Sequence, residues 1–162
     1  MNAGRAIEAL LIMATEPLAA ADLAAQLGLP ESDVTAELEQ LSRFYQDTSR
    51  GFELRRVAGG WRLATAPDLA ETLEAAVVAE TRARLSQAAL ETLAVIAYLQ
   101  PVTRGRVSGV RGVNVDGVVR TLLSHGLITE AGEEPSGAMT FATTSLFLQK
   151  LGIDSLDELP DL

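Results

Sequence analysis

The sequence contains no cysteine, and this absence removes several kinds of chemistry at once. Without a thiol the chain has no disulfide, no thiolate zinc site, no cysteine nucleophile and no iron–sulfur cluster. Long apolar runs are also missing: the run at residues 7–14 is far too short to cross a bilayer, and no small-residue cleavage site follows it. We therefore expect a soluble, cytoplasmic protein with no membrane contact.

Positive charge is the next shortage, because the 162 residues include 13 Lys and Arg against 22 Asp and Glu, a net charge of −9. Contacts to phosphate need positive side chains, so this balance is unfavourable for a protein that binds duplex DNA by itself. It favours a protein partner instead.

Catalytic motifs are missing too. His125 is the single histidine, and acid–base catalysis needs a second positioned group that no motif supplies. Its place near the end of a predicted helix favours an interaction with the helix dipole. The pair Gly59-Gly60 lacks the lysine of a phosphate-binding loop. We expect no enzyme activity, no cofactor or metal site and no small-molecule ligand.

Apolar residues at helical spacing predict three helices before residue 50. The first carries Ile7, Leu10, Leu11 and Ala14, the second Leu23, Ala24 and Leu27, and the third, after Pro30, carries Val34, Leu38, Leu41 and Tyr45. Gly28 is placed to end the second helix in a left-handed conformation.

The period then changes from helical to alternating, which predicts a β-hairpin. Phe52 and Leu54 lie on one strand, Trp61 and Leu63 on the other, and Gly59-Gly60 is predicted as the two-residue turn between them. Pro67 is expected to begin a fourth helix.

The second half repeats this order. Ser86 is predicted to cap a helix that Pro101 ends, Thr103 to cap a short second helix, and Asn114 to cap a third that ends at Gly126. Strands are expected at 127–130 and 139–143 with a loop at 132–137, and a last helix at 146–151. Gly117 falls inside the third of these helices, where we expect it to allow a close crossing by the second.

This order predicts a mostly helical α+β chain with two tandem winged helix-turn-helix domains. The expected boundaries are a first domain at 1–79, a linker at 80–85, a second domain at 86–153 and a C-terminal tail at 154–162.

Two stretches in the second half carry a specific resemblance: LSQAALETLAVIAYLQPVTR at 85–104 and RGVNVDGVVRTLLSHGLI at 111–128. With IEALLIMATEPLAAADLAAQLGL near the start, VAGGWRLATAPD at the first hairpin and FATTSLFLQKLGIDSLDELPDL at the end, the sequence resembles the segregation and condensation protein B (ScpB) family over nearly its whole length. The chain departs from the family pattern at Pro135–Ala138, where a Gly-Arg-Pro-like segment is usual, and at Leu99, where a basic residue is common.

The resemblance implies a non-enzymatic subunit of the bacterial Smc condensin complex that takes part in chromosome condensation and segregation during cell division. It implies a homodimer formed through the N-terminal domain, and a C-terminal domain that binds the kleisin ScpA and through it the Smc ATPase at the nucleoid. We expect the kleisin to cross apolar surface between the first and third helices of that domain. The candidate contact residues are Tyr98, Gln100, Arg104, Arg111 and Arg120.

The alternative is a dimeric winged-helix transcription regulator that binds DNA. The predicted third helix, from Glu31 to Gln46, has a net charge of −3, and the corresponding helix from Asn114 to His125 has a net charge of zero, so neither resembles a helix that reads bases. The basic residues of the first hairpin remain candidates for weak or indirect DNA contact, namely Arg55, Arg56 and Arg62.

Overall fold

The computed structural model describes residues 2–77 and 85–161, which group into two compact units. Among the described residues, the first unit takes 2–77 together with Ile153–Glu158, and the second takes 85–152 together with 159–161. Of the predicted linker at 80–85, all but Leu85 lies outside the described residues.

The three predicted helices of the first unit are confirmed. They are α1 (Ala3–Met13), α2 (Ala20–Leu27) and α3 (Glu31–Asp47). The side chain of Asn2 accepts a hydrogen bond from the Arg5 N–H and so caps α1, and Gly28 ends α2 with φ at +66°. Their inward faces and two side chains of the hairpin that follows form a core of apolar residues: Ile7, Leu11, Leu23, Ala24, Val34, Leu38 and Tyr45 from the helices, and Leu54 and Trp61 from the hairpin.

The predicted hairpin is present as β1 (Phe52–Val57) and β2 (Gly60–Thr65), but its turn lies one residue earlier than expected. Val57 pairs with Gly60, so the turn residues are Ala58 and Gly59, with φ at +52° and +79°. Two consecutive positive φ angles match the turn that suits the twist of a two-residue hairpin.

Gly60 is not a turn residue, and it allows a close approach of another part of the backbone instead. It is buried, and a Cβ atom there would lie 2.9 Å from the backbone carbon of Pro17. This close approach lets Leu18 and Trp61 exchange backbone hydrogen bonds of 2.9 and 2.8 Å, an isolated bridge that the sequence pattern did not predict. A 3₁₀ turn at Pro67–Leu69 then leads into α4 (Ala70–Val77).

The second unit contains four helices and three strands among its described residues. The helices are α5 (Gln87–Leu99), α6 (Arg104–Arg111), α7 (Asp116–Ser124) and α8 (Ser145–Leu151); the strands are β3 (Val102–Thr103), β4 (Ile128–Glu133) and β5 (Met139–Thr143). The predicted caps are confirmed for α5 and α6, where Ser86 accepts from the Ala89 N–H and Thr103 from the Arg106 N–H.

The strands form an antiparallel sheet in the order β3-β5-β4. The short β3 was not predicted, since two residues give no alternation to detect. The pairing of β4 with β5 shifts register between Glu130 and Gly132, which is a β-bulge and extends β4 into the predicted loop.

Two predictions about α7 are wrong. Asn114 does not act as a regular N-cap: its side-chain oxygen accepts from the Asp116 N–H at 2.8 Å, two residues on, an Asx turn that precedes the helix. Gly117 is not a site of close helix crossing, because a Cβ atom there would have no neighbour within 4 Å. The inward face is as expected, with Val115, Val119 and Leu122 buried.

Candidate functional site

Three of the five predicted kleisin contacts, Gln100, Tyr98 and Arg111, make hydrogen bonds within their own unit. Gln100 follows α5; its amide nitrogen donates to the Ala97 carbonyl at 2.8 Å, and its amide oxygen accepts from the Thr143 N–H at 2.9 Å. Gln100 therefore ties α5 to β5. Tyr98 is exposed at the end of α5, and its hydroxyl donates to the Pro160 carbonyl at 2.6 Å.

Arg111 and Glu91 form an ion pair that joins α6 to α5. A hydrogen bond from Gln87 and then the guanidinium of Arg111 lower the pKa of the Glu91 carboxyl below its ordinary value. Arg111 is mostly buried, and its Nε atom has no hydrogen-bond partner among the described residues. This arginine is therefore fixed in the fold and offers little of its charge to a partner.

The remaining two arginines leave more of their surface accessible. Arg104 lies 3.4 Å from a carboxylate oxygen of Asp116 and 5.5 Å from the centre of the Phe141 ring, but about half of its side chain is exposed. Arg120 is exposed on α7. These two, with Tyr98, are the predicted contacts that a partner can reach without a rearrangement.

An apolar groove in the second unit was not predicted. It has a volume of about 530 Å³ and is lined mainly by apolar side chains: Leu85, Leu90, Leu93, Leu127, Leu146, Phe147 and Leu151. His125 and Lys150, the single histidine and the single lysine of the chain, complete its wall. None of the five predicted contacts lines it. Leu90 lies on α5 and is 49% exposed.

The first unit has a second apolar groove, between α1 and the hairpin. It has the same volume, about 530 Å³, and its lining includes Ile12, Tyr45, Phe52 and Leu63. Ile12 and the adjacent Met13 are 73% and 80% exposed, values that are high for apolar side chains at the end of a helix.

A partly buried polar contact lies among the residues that line this groove. The hydroxyl of Tyr45 donates to a carboxylate oxygen of Glu8 at 2.6 Å. Burial, and then the bond to Glu8, raise the pKa of Tyr45 well above its ordinary value. The tyrosine therefore stays neutral at physiological pH and acts here as a hydrogen-bond donor.

The three candidate DNA contacts lie on two faces of the hairpin. Arg55 and Arg62 pair directly across the strands and therefore share a face, where Arg55 lies 3.1 Å from a carboxylate oxygen of Glu53. Arg56 pairs with Trp61 on the opposite face, with its guanidinium 5.8 Å from the Trp61 ring centre. The structure thus separates residues that are close in sequence.

No group of three or more His, Cys, Asp or Glu side chains that could hold a metal ion occurs among residues 2–77 and 85–161. Within the same ranges, no helix is long and apolar enough to cross a membrane.

Fold and grooves together define the class: a mostly helical α+β chain in two units, each with an exposed apolar groove. The model of the family described as "Segregation and condensation complex subunit ScpB" matches residues 5–162. The chain belongs to this family.

Several individual proteins are similar to this chain. Segregation and condensation protein B of Moorella thermoacetica is 45% identical over 99% of this chain and 83% of its own length. A crystal structure of ScpB from Mycobacterium tuberculosis is 48% identical, covers 93% of this chain and 95% of its own, and has a TM-score of 0.46. A crystal structure of a dimer of the ScpB N-terminal domain complexed with an ScpA peptide is 32% identical, covers 46% of this chain and 94% of its own, and has a TM-score of 0.44.

Proposed function

We propose that this chain is a non-enzymatic subunit that binds the kleisin ScpA and, through ScpA, the Smc ATPase. Its role is in chromosome condensation and segregation during cell division, in the cytoplasm and at the nucleoid. The observation that carries the proposal is the family match over residues 5–162, which spans both units.

Each unit is proposed to be a winged helix-turn-helix domain. In the first, α1, α2 and α3 precede the hairpin of β1 and β2; in the second, α5, α6 and α7 precede β4 and β5. The proposed boundaries are those expected from the sequence, 1–79 and 86–153, with a linker between them and a tail after them.

The second unit is proposed to hold ScpA in its apolar groove, with the three accessible side chains Tyr98, Arg104 and Arg120 as outer contacts. Gln100 and Arg111 contribute by holding α5 against β5 and α6. An amphipathic helix that lays its apolar face into such a groove is a common mode of recognition. In the related complex the ScpA peptide accompanies the N-terminal domain, so the first unit is a second proposed contact.

The first unit is proposed to form the homodimer, through the patch of Ile12, Met13, Phe52 and Leu63. Symmetric dimers bury the same patch on both subunits, and this patch combines a groove with protruding apolar side chains. DNA contact through Arg55, Arg56 and Arg62 is proposed to be weak or indirect. The charge of α3 and α7 does not favour the alternative of a sequence-specific transcription regulator.

The test measures the affinity of the purified full chain for ScpA from the same genome by isothermal titration calorimetry. Leu151→Glu places a carboxylate in the groove of the second unit and is expected to weaken binding about tenfold or more, since burying an unpaired charge costs more than 1.4 kcal/mol. Val113→Glu is the matched control, because Val113 is 54% and Leu151 52% exposed and Val113 does not line the groove.

Equal affinities for the two variants would reject the groove as the contact. Absence of ScpA binding by the unsubstituted chain would reject the proposed function itself. Arg120→Ala is expected to give a smaller loss of affinity, which tests the outer contacts separately.

A further inference from the structure

The turn of the first hairpin holds a carboxylate from a distant part of the chain. The Gly59 N–H donates to Oδ1 of Asp154 at 2.7 Å, and the Ala58 N–H donates to the Ile153 carbonyl at 3.1 Å. The second carboxylate oxygen, Oδ2, lies 3.4 Å from Nε of Arg56. One turn N–H group, that of Gly59, and the guanidinium of Arg56 thus meet the Asp154 carboxylate, and a backbone N–H beside a guanidinium is a pairing that binds anions.

The segment that supplies the carboxylate is folded to present it. The Glu158 carboxylate accepts from the Asp154 N–H at 2.6 Å and from the Ser155 N–H at 3.3 Å, which closes a short turn around Leu156–Glu158. Asp154 therefore reaches the hairpin from a locally stabilised loop of the first unit.

The contact is accessible enough to be exchanged. The Arg56 and Asp154 side chains are 59% and 28% exposed, and ion pairs at such exposure contribute little to stability. Arg56 is held over the ring of Trp61, so its guanidinium stays near the turn whether or not Asp154 is bound. A stronger anion could replace the carboxylate without a change in the hairpin itself.

The hairpin and the residues just before it are also a basic part of an acidic chain. From Arg50 to Arg62 this segment carries Arg50, Arg55, Arg56 and Arg62 against Glu53, while the whole chain has a net charge of −9. Backbone N–H groups and arginines are the usual contacts to the phosphates of DNA. The Asp154 carboxylate occupies the Gly59 N–H and offsets the positive charge of Arg56, the arginine nearest the turn.

We propose that the tip of the first hairpin, formed by the Arg56 guanidinium and the Gly59 N–H, is a binding site for a DNA phosphate that Asp154 closes from within the same chain. Closed, the site gives only the weak DNA contact described above; release of Asp154 exposes one additional phosphate contact. This inference does not depend on ScpA binding.

The experiment compares the affinity of full-length variants for a fluorescein-labelled 30-base-pair duplex by fluorescence anisotropy between 50 and 200 mM salt, about the range over which phosphate contacts are most visible. Asp154→Ala is expected to tighten binding about fivefold or more at the lowest salt concentration. It is also expected to make the slope of log K against log salt steeper by the amount that about one more phosphate contact gives. Asp157→Ala is the matched control, because it removes the same charge from the same segment without touching the hairpin.

Arg56→Ala in the Asp154→Ala background is expected to abolish the gain. Circular dichroism reports whether each variant remains folded. The inference is overturned if Asp154→Ala and Asp157→Ala behave alike, if the gain survives Arg56→Ala, or if no variant binds the duplex. It is also overturned if Asp154→Ala strengthens ScpA binding and leaves DNA binding unchanged, because the site would then be one for an acidic peptide.

Discussion

Thr92 is a polar residue at the centre of the second unit. It lies on the inward face of α5 with no exposed surface, and its hydroxyl has no hydrogen-bond partner among the described residues. A buried hydroxyl that lost its bonds to water without gaining others destabilises the folded state.

Thr92→Val is therefore expected to raise the free energy of unfolding by about 1 kcal/mol, since it replaces the hydroxyl with a methyl group of similar size. Urea denaturation monitored by circular dichroism measures the change. Thr92→Ser keeps the hydroxyl and removes the methyl group, so it should be destabilising. A stability loss in both variants would mean that the hydroxyl has a partner in solution.

The ion pair of Glu91 with Arg111 makes a prediction about pH. Because the folded-state pKa of Glu91 is lowered, the pair contributes stability that is fully present above the unfolded pKa and is lost as pH falls through the folded pKa. Glu91→Gln should thus lower the melting temperature at pH 7. The difference in melting temperature from the unsubstituted protein should shrink as the pH falls below the ordinary glutamate pKa of about 4.3.

Differential scanning fluorimetry across this pH range makes the comparison. Glu130→Gln, at an exposed position on β4, controls for the change of one charge. A constant difference between Glu91→Gln and the unsubstituted protein at every pH would contradict the prediction.

At the scale of elements, two exposed glycines of the second unit are expected to respond in opposite ways to alanine. Gly117 has helical backbone and open space around it, whereas Gly112 ends α6 with φ at +69°. Gly117→Ala should stabilise the chain by about 0.5–1 kcal/mol, because alanine loses less backbone entropy in a helix.

Gly112→Ala should destabilise the chain by about 1 kcal/mol, because the left-handed conformation strains a residue with a Cβ atom. Thermal denaturation of the two variants side by side tests the pair. A loss of stability in Gly117→Ala would instead support the close helix packing at Gly117 that the sequence suggested.

At the scale of the whole molecule, the proposed dimer predicts a light-scattering mass of twice the 17.2 kDa of one chain. Ile12→Glu puts a charge into the patch between α1 and the hairpin and is expected to weaken the dimer about tenfold or more, so that a monomer mass appears at micromolar concentration. Val113→Glu, in the second unit, should leave the mass unchanged. A monomer mass for the unsubstituted protein would contradict the proposed dimer.

Most of the helices could be predicted from the sequence because each depends on neighbouring residues. The spacing of Val34 and Leu38 and the caps at Ser86 and Thr103 are local patterns, and local hydrogen bonds satisfy them. The same holds for the mostly helical α+β class and, by resemblance, for the family. The turn at Ala58 was missed because the more obvious glycine, Gly60, is needed for the approach of Pro17.

The grooves and the hairpin contact were decided only by the tertiary structure. Leu90 and Leu151 come from different helices, and the groove that they line exists only once α5 and α8 have packed. Asp154 lies 95 residues from Gly59, a separation that no periodicity or spacing records. The sequence by itself determined which segments become helix and strand, because those choices are made by local hydrogen bonds and apolar spacing. Which exposed side chains share a surface was settled by packing between segments distant in the chain.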